Sequence, residues 1–522
     1  MRLRGLPLRF AAFLAITFVL VFPHIWYAPV DSFHYPARLF KQVVDALTTH
    51  HVANLERKEL YRIATEAILR ELGDPHTVLL DPNSFEELRT QTEGDYHGIG
   101  IEIDLRDNAV TVIAPIRNSP AQRAGILAGD RIRAIDGERT EGWTTTQAVH
   151  RIRGPDGSTV TLDIERPGQD SLLRFTIQRE SIRLPALSAA YLMDHQIGYI
   201  ELRTFTTDAS KELKAAIDSL RGEGMRRLIL DLRNNPGGLL TESVAVADLF
   251  LPKHAVITES RGRIGTTKEV FRARDNHMYE DLPVAVLVGP QTASAAEIVA
   301  GALQDHDRAI IIGERTYGKG SIQTLYPLSG GYWIKITTAR WHTPSGRAID
   351  IPSDSIQVDS APTFRSRSGR PIRGGGGIWP DVLVHDSLLI QEETLIRAVR
   401  GAWIPFIHAI DSFVALESRV PERPNEELWP RFRHYLRQRG VPVPEYALAD
   451  LRSWLELYLR YHITKLRYGE NEAIRLVNAH DPVVARAQEI LASINSVTDL
   501  LLLTLKLSGE TARQDGDAPP LQ

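Results

Sequence analysis

The sequence predicts an α/β protein of several domains, in which a β-rich module and a larger α/β core lie between helical regions. Its 522 residues are too many for one hydrophobic core and indicate about three or four domains. Short alternating apolar runs broken by glycine occupy residues 95–180, a pattern typical of β-strands. From residue 181, apolar strand patterns alternate with helical ones, which is typical of an α/β core.

The composition excludes several classes of function. A formal net charge of −4 provides no basic surface for phosphate groups, so we expect no nucleic-acid partner. The chain contains no cysteine, which excludes disulfides, thiolate metal sites and a cysteine nucleophile. No metal site is predicted, and no cofactor is implied.

Residues 1–31 predict export from the cytoplasm. Three arginines precede an apolar run at residues 10–22, which is too short for a membrane span and typical of a signal-peptide core. No clear small-residue cleavage site follows, and the Trp26-Tyr27 pair suits a membrane interface. We therefore expect a location in the periplasm or cell envelope. Cleavage of the segment and its retention as an inner-membrane anchor both remain open.

Residues 32–94 predict a helical region. Apolar residues recur every three or four positions from Phe40 to Leu47 and again from Leu60 to Leu72, as on one face of a helix. Gly73-Asp74-Pro75 marks the end of the second helix. These helices contain no recognisable catalytic or ligand-binding motif, and we expect them to pack on the core or to pair subunits.

The segment 95–180 carries a specific set of motifs. The loop YHGIG is followed by SPAQRAGI, a predicted short helix, and by Gly129-Asp130 at the start of a strand. A second helix is predicted at Thr144–Ile152. This order resembles a PDZ domain in the permuted form found in bacterial proteases. The resemblance implies capture of an extended peptide, which adds a strand to an open sheet edge.

The PDZ resemblance assigns a carboxylate-binding loop to Gly98, Ile99 and Gly100. Glycine lets adjacent amides converge, so the N–H groups of this loop can receive the terminal carboxylate of a peptide. The alternative is that the two glycines only start a tight strand. Arg153, at the end of the second helix, is a candidate for coupling the module to its neighbour. An exposed, solvated arginine at a helix end is the alternative there.

The core predicted for residues 181–386 contains three candidate groups. A buried strand, RLILDL, ends in Pro236-Gly237-Gly238, a turn that can aim backbone N–H groups at a developing negative charge. Ser294 follows another apolar strand, at the start of an alanine-rich helix. Lys319 lies between two glycines, and Gln323 follows four residues later. Taken singly, the serine is best explained as a helix N-cap and the lysine as an exposed turn residue.

Four motifs follow the PDZ module in order: RLILDLRNNPGG, GPQTASAAEIVAGALQD, GERTYGKGSIQ and TPSGRAI. Together they resemble the C-terminal processing (tail-specific) serine peptidases, whose core is a crotonase/Clp-like α/β fold. The resemblance implies Ser294 as nucleophile, Lys319 as general base and Gln323 as the residue that orients the lysine. It places the oxyanion donors at the backbone N–H groups of Gly238 and Ala295. The implied substrates are proteins or peptides with apolar C-termini.

A general base of this kind must hold a neutral amine. A lysine pKa near 10.4 has to fall to about 7, which means disfavouring the charged form by roughly 4–5 kcal/mol. Burial can supply this where no carboxylate is close. The segment Tyr317–Gln323 contains no acid, and Glu297 and Glu314, the nearest acids in sequence, are expected to point elsewhere.

The sequence also offers one alternative site and two alternative functions. Asp305-His306-Asp307 could form a Ser-His-Asp or metal site, but His306 lies about 18 Å of helix beyond Ser294, so we predict a solvated helix end. A catalytically silent PDZ scaffold is disfavoured because Ser294, Lys319 and Gln323 are all present. A crotonase-like acyl-transfer enzyme is disfavoured because a peptide-binding module serves no purpose for a thioester substrate.

Two segments depart from the family pattern. Residues 350–376 form a polar, glycine-rich insertion that either folds over the site or binds a partner, with a disordered loop as the alternative. Residues 387–509 show helical periodicity and predict a C-terminal helical domain, and residues 510–522 predict a disordered tail. Through the helical regions we expect a homo-oligomer, and an adaptor protein is left open as a further partner.

Overall fold

The computed structural model describes the chain from residue 34 to residue 516, apart from internal gaps. The described ranges are 34–106, 109–116, 118–166, 169, 171–263, 268–274, 278–350, 363–386, 394–395, 397, 403–420, 427–441 and 443–516. The predicted export segment, residues 1–31, and residues 351–362 of the predicted insertion lie outside them. The described chain divides into two compact units, residues 34–81 with 325–336 and the remainder.

The smaller unit consists of two helices and a strand pair. Its elements are helix α1 (His34–His50), helix α2 (Arg57–Glu71) and strand β1 (Val78–Leu80), which pairs antiparallel with Trp333–Lys335. Phe40 of α1 lies against Tyr61 of α2, with ring centroids 5.6 Å apart. The helical periodicity in the sequence therefore produces two helices that contact each other through their apolar positions.

In the larger unit, a 12-residue helix leads into the β-rich module, which consists of an antiparallel sheet, a separate strand pair and two short helices. The elements are α3 (Pro82–Glu93), β2 (Asp95–Gly98), β3 (Ile101–Arg106), β4 (Ala109–Pro115), α4 (Pro120–Ala124), β5 (Arg131–Ile135), β6 (Glu138–Arg139), α5 (Thr145–Ile152), β7 (Thr159–Glu165), β8 (Leu173–Gln178) and β9 (Glu180–Arg183). Strands β3, β4, β5, β7 and β8 are neighbours in that order, so β3 forms an edge of the sheet. Ile99, Val110 and Leu162 belong to its buried core.

The α/β core is built on a second, six-stranded sheet. The elements that follow are β10 (Leu187–Met193), β11 (Ile197–Leu202), α6 (Ala209–Gly222), β12 (Arg227–Asp231), α7 (Leu240–Asp248), β13 (Val256–Gly262), β14 (Glu269–Arg272), β15 (Val284–Val288), α8 (Ala295–Asp305), β16 (Ile310–Gly313), β17 (Ser321–Pro327), β18 (Trp333–His342), β19 (Thr363–Arg365), β20 (Pro371–Arg373) and β21 (Val382–Leu383). The strand order in this sheet is β10-β11-β12-β15-β16-β21. The β10–β11 pair is antiparallel, and the other neighbours are parallel.

Helices cover both faces of this sheet, so its strands are mostly apolar. All five residues of β15 are buried, as a strand covered on two sides requires. Helices α6, α7 and α8 pack on one face. With the β-rich module and the helical ends, this arrangement confirms the predicted fold class.

The C-terminal helices divide between two hydrophobic cores. They are α9 (Trp403–Arg419), α10 (Leu428–Gln438), α11 (Glu445–Asp450), α12 (Arg452–Tyr468), α13 (Glu470–Asn478), α14 (Pro482–Ala492) and α15 (Val497–Gly516). Residues of α9, α10 and α12, among them Phe406 and Phe432, form a cluster of their own. Val484 and Leu491 of α14 pack instead on the second face of the core sheet. The region predicted as one helical domain therefore also supplies an outer layer of the α/β core.

Helix α15 continues to Gly516, into the segment for which the sequence predicts disorder. Within the part of the chain that the structure describes, no single helix combines the length and apolar composition of a membrane span. Pro482–Ala492 and Val497–Leu507 reach that composition only as a pair bent by 120°.

The described part of the predicted insertion is an ordered hairpin at the C-terminal end of α8. Strands β19 and β20 pair antiparallel, and Arg370 between them lies 3.1 Å from Asp307. Asp305 pairs with Arg347, and both side chains are buried. The predicted solvated helix end is therefore wrong, because these acids hold the hairpin and the neighbouring loop in place. About 15 Å of helix separates them from the start of α8.

The packing of α14 on the sheet leads to a first prediction. Leu491→Ala should lower the free energy of unfolding by about 2–5 kcal/mol, because it leaves a cavity between the helix and the sheet. The measurement is chemical denaturation of the full chain. Leu502→Ala, at a side chain that is 61% exposed, should change it by no more than about 0.5 kcal/mol. Equal effects of the two substitutions would contradict the assignment of α14 to the core.

Candidate active site

Ser294 stands in a strained turn between strand β15 and helix α8. Its backbone has φ 55° and ψ −114°, a region that residues other than glycine rarely adopt. Such strain persists only where the surrounding structure enforces it, and it is concentrated at functional sites. A serine on a sharp strand-to-helix turn is also the geometry that exposes nucleophilic hydroxyls in α/β hydrolases.

Buried hydrogen bonds tie this turn to the loop that follows β12. The Thr292 hydroxyl donates to the carbonyl oxygen of Leu232 at 2.7 Å and accepts from the Gly289 N–H at 2.9 Å. The Ala293 N–H donates to the Asn235 carbonyl at 3.0 Å. The two loops meet because β12 and β15 are adjacent parallel strands, whose carboxyl ends lie side by side.

Asn235 shapes the glycine turn beside the serine. Its buried side chain accepts from the Gly237 N–H at 2.8 Å and donates to the Leu202 carbonyl at 2.8 Å. Gly237 has φ 106°, and a Cβ there would lie 2.8 Å from the Cβ of Ser294 and 3.1 Å from the nitrogen of Ala295. The sequence-predicted glycine turn and nucleophile candidate are therefore in direct contact.

The two predicted oxyanion donors are the N–H groups of Gly238 and Ala295. Among the described residues, none accepts a hydrogen bond from either group. Gly238 has φ 141°, and a Cβ there would come within 2.5 Å of the Phe205 carbonyl oxygen, so only glycine fits. Their assignment as oxyanion donors stays a prediction, and the geometry leaves both N–H groups available for it.

Glu297 joins the Ser294 turn to the lysine loop. Its buried carboxylate accepts hydrogen bonds from the Ser294 N–H (2.8 Å), the Thr316 hydroxyl (2.5 Å), the Gly318 N–H (2.7 Å) and the Lys319 N–H (2.9 Å). The nitrogens of Ser294 and Lys319 bond to the same oxygen, Oε2, so they are no farther apart than the sum of those two distances. Burial raises the pKa of the Glu297 carboxyl, and the four donors act in the opposite direction.

The expectation that Glu297 points away from the lysine segment is wrong. Glu297 lies three residues after Ser294, in the first turn of α8, where a side chain can reach back to the N–H before the helix. The pattern Ser-x-x-Glu at a helix start is the sequence signature of this contact. It could have identified Glu297, although not its bonds to the loop at Gly318 and Lys319.

Further contacts hold the lysine loop against the core. The Tyr317 N–H donates to the Thr292 carbonyl at 3.0 Å, which adds a second link to the serine turn. The indole N–H of Trp341 donates to the Lys319 carbonyl at 3.1 Å, and the Asp350 carboxylate accepts from the Gly320 N–H at 2.9 Å. The backbone of Lys319 is thus fixed on both sides, and its side chain is half-buried.

Gln323 lies on strand β17, shortly after the lysine loop. Its Nε2 donates to the Ser321 hydroxyl at 2.9 Å and lies 3.5 Å from the Thr337 hydroxyl. These contacts fix the plane of the amide on the strand. The role of orienting Lys319 stays a prediction.

The loop Gly98–Gly100, whose binding of a terminal carboxylate stays a prediction, has occupied carbonyl groups and available N–H groups. Its carbonyl oxygens are occupied: Ile99 accepts from the Ala121 N–H and Gly100 from the Ile116 N–H, each at 2.9 Å. The N–H groups of Ile99 and Gly100 donate to none of the described residues. Edge strand β3 begins directly after this loop and contacts helix α5, so a peptide could extend the sheet there.

Arg153, the candidate coupling residue, lies at the C-terminal end of α5. Its guanidinium stacks 4.5 Å from the centroid of the Tyr96 ring, and it donates to the Thr90 hydroxyl at 3.4 Å. Tyr96 belongs to β2, two residues before the carboxylate loop. Arg153 therefore connects α5 to β2 and α3, and coupling to the α/β core stays a prediction.

Taken together, these groups can perform acyl transfer. They are a serine on a strained backbone, two available N–H groups beside it and a lysine loop joined to the same turn, which are the components of nucleophilic catalysis with oxyanion stabilisation.

Comparison with known proteins agrees with this chemistry. Residues 196–359 match the sequence model of Peptidase family S41, and residues 111–166 match that of the PDZ domain. The chain is 38% identical over 314 residues to the carboxy-terminal-processing protease of Bartonella bacilliformis, covering 59% of this chain and 71% of that protein. It is 41% identical over 299 residues to the carboxyl-terminal-processing protease of Synechocystis sp., covering 56% and 69%.

Among solved structures, a photosystem II D1 C-terminal processing protease is similar to this chain. It is 27% identical, with 67% of this chain and 92% of that chain covered and a TM-score of 0.36.

The contact between the glycine turn and the serine leads to a second prediction. Gly237→Ala should lower the free energy of unfolding by about 2–5 kcal/mol, because the new Cβ is strained at positive φ and collides with the serine turn. Gly222→Ala is the matched control, since nothing lies within 4 Å of its Cβ position. Denaturation curves in which both variants resemble the wild type would contradict the close approach of the two loops.

Proposed function

The chain belongs to peptidase family S41 and its carboxyl-terminal processing proteases, and from this premise we propose that it is an endopeptidase of the Ser-Lys type. Its PDZ domain captures the C-termini of its substrates, which are proteins of the periplasm or cell envelope. Residues 1–31 direct the chain there. That the chain is a serine-type peptidase with a PDZ domain follows from the family itself.

In this proposal the Ser294 hydroxyl attacks the carbonyl carbon of the scissile peptide bond. Lys319 accepts the hydroxyl proton and donates it to the leaving amine, so the products of the first step are an acyl-enzyme and a free amino terminus. Water then attacks the acyl-enzyme, with the lysine again transferring the proton. The N–H groups of Gly238 and Ala295 stabilise the oxyanion in both steps. Gln323 orients the lysine through its Oε1, since its Nε2 donates to Ser321.

The observation that carries the proposal is the hydrogen bonding of Glu297. A single buried carboxylate binds the backbone of the candidate nucleophile and the backbone of the candidate base. A buried carboxylate without hydrogen-bond donors would raise the free energy of the folded protein. The bonds that Glu297 accepts therefore hold the lysine loop against the serine turn. A capping box alone would account for the bond from Ser294, but not for the bonds from Gly318 and Lys319 to the same carboxylate.

The mechanism is tested with the purified full chain and an unfolded protein substrate that ends in apolar residues. Ser294→Ala and Lys319→Ala should each reduce the rate of cleavage by more than about 1000-fold. In a catalytic unit, the loss of one residue costs about as much as the loss of all of them. Ser219→Ala, on the exposed surface of α6, is the matched control and should cleave like the wild type. Cleavage that survives in Ser294→Ala would refute the assignment, and a wild type that cleaves nothing would favour a scaffold.

Capture of the C-terminus is tested with one peptide made as the free acid and as the C-terminal amide. Hydrogen bonds to a charged group contribute roughly 1.5–3 kcal/mol, so amidation should reduce kcat/KM by about 10- to 100-fold. Binding of both peptides to Ser294→Ala, followed by calorimetry, separates recognition from cleavage. Equal kcat/KM for the two peptides would exclude the loop Gly98–Gly100 as a carboxylate site.

A further inference from the structure

We propose that Asp481, at the start of helix α14, is a positioning residue for the glycine turn Pro236-Gly237-Gly238. It lies in the C-terminal helical region, outside the residues that match the peptidase family. Its carboxylate holds Arg233, and Arg233 begins the loop that leads to Gly237 and Gly238. This inference rests on the proposed function, in which that turn supplies an oxyanion donor.

The two oxygens of Asp481 have separate partners. Oδ1 accepts from the N–H groups of Val483 (2.8 Å) and Val484 (3.2 Å), which makes Asp481 the N-cap of α14. Oδ2 lies 2.7 Å from Nη1 of Arg233. The Asp481 side chain is 3% exposed and that of Arg233 12% exposed, so little water competes for this contact.

Arg233 contacts three carboxylates, one from Asp231 two residues earlier and two, from Asp386 and Asp481, that are distant in sequence. Its Nη2 lies 2.7 Å from Oδ2 of Asp231, at the end of β12, and Nη1 also lies 3.4 Å from Asp386. Asp231 in turn accepts from the Tyr199 hydroxyl at 2.8 Å. A planar guanidinium bound on both sides cannot rotate freely, so the position of Asp481 helps to set that of Arg233.

From Arg233 the path to the serine turn is short. Thr292, next to the serine turn, donates to the carbonyls of Leu232 and Arg233. Asn235 follows two residues later and binds both the Gly237 N–H and the Ala293 N–H. A displacement of Arg233 would therefore reach both loops that form the candidate oxyanion site.

Packing alone does not fix this loop. A cavity of about 370 Å³ borders Arg233, Asn234 and Asp481 and is lined elsewhere by aromatic side chains of α12. Asn234 is exposed, so the first half of the loop has no tight neighbour on that side. Asp481, in contrast, is anchored, because α14 packs on the core sheet through Val484 and Leu491. The ion pair between Asp481 and Arg233 thus fixes the loop after β12 relative to helix α14, which packs on the sheet.

The two oxygens allow the cap and the ion pair to be separated. Asp481→Asn keeps an oxygen for the helix cap and removes the negative charge that faces Arg233. Asp481→Ser keeps a capping hydroxyl and also removes that charge. In the full chain, both should lower kcat for the unfolded substrate by about 10- to 100-fold with KM unchanged. The reason is that an oxyanion donor binds the charge that develops in the transition state and not the bound substrate.

Glu417→Gln is the matched control. Glu417 pairs with Arg431 at 2.9 Å, with side chains 12% and 21% exposed, and it joins α9 to α10 away from the turn. It should lower the melting temperature about as much as Asp481→Asn does and leave kcat at the wild-type value. Amide hydrogen exchange gives a second readout. The peptide spanning residues 232–240 should exchange faster in both Asp481 variants and unchanged in Glu417→Gln.

The outcomes are distinguishable. The inference would be overturned if Asp481→Asn and Asp481→Ser kept the wild-type kcat, or if Glu417→Gln lowered kcat as much as they do. Unchanged amide exchange of residues 232–240 in the Asp481 variants would also overturn it. If Ser294→Ala cleaves as fast as the wild type, the proposed function fails instead. The exchange measurement then still decides whether Asp481 positions the turn.

Discussion

The hydrogen bonding of the buried Glu297 carboxylate is the constraint on which the candidate site depends. Four donors converge on its two oxygens, and three of them are backbone N–H groups of the serine turn and the lysine loop. Leaving such a group unpaired in a dry interior is costly, so the loop, the turn and the helix start are stabilised only together. The positive φ of Ser294 is held by this network and by the Thr292 and Asn235 bonds.

Strand order explains why these parts meet. Strands β12 and β15 are parallel neighbours, so the glycine turn after one and the serine turn after the other emerge at the same edge of the sheet. The lysine loop follows β16, the next strand in the order, which brings it to that edge as well. The glycine turn, the serine turn and the lysine loop therefore follow three neighbouring strands of the sheet.

The C-terminal helices belong to this arrangement as well. Helix α14 covers the face of the sheet opposite α8, and its N-cap Asp481 reaches the loop after β12. The two relatives reported above align with 59% and 56% of the chain, and this helix lies beyond the residues that match the family model. Support for the loop therefore includes a region outside the family core.

Much of the fold and several candidate residues could be predicted from the sequence. Alternating and helical periodicity reports local burial, and the order of the motifs identifies the β-rich module and the family. The sequence alone could not show that Glu297 binds the lysine loop, that Asp305 is buried against Arg347, or that α14 packs on the core sheet. Each of these depends on a partner distant in sequence, and periodicity indicates that a residue is buried but not what it contacts. Only the tertiary structure decides which distant group completes the hydrogen bonding of a buried charge.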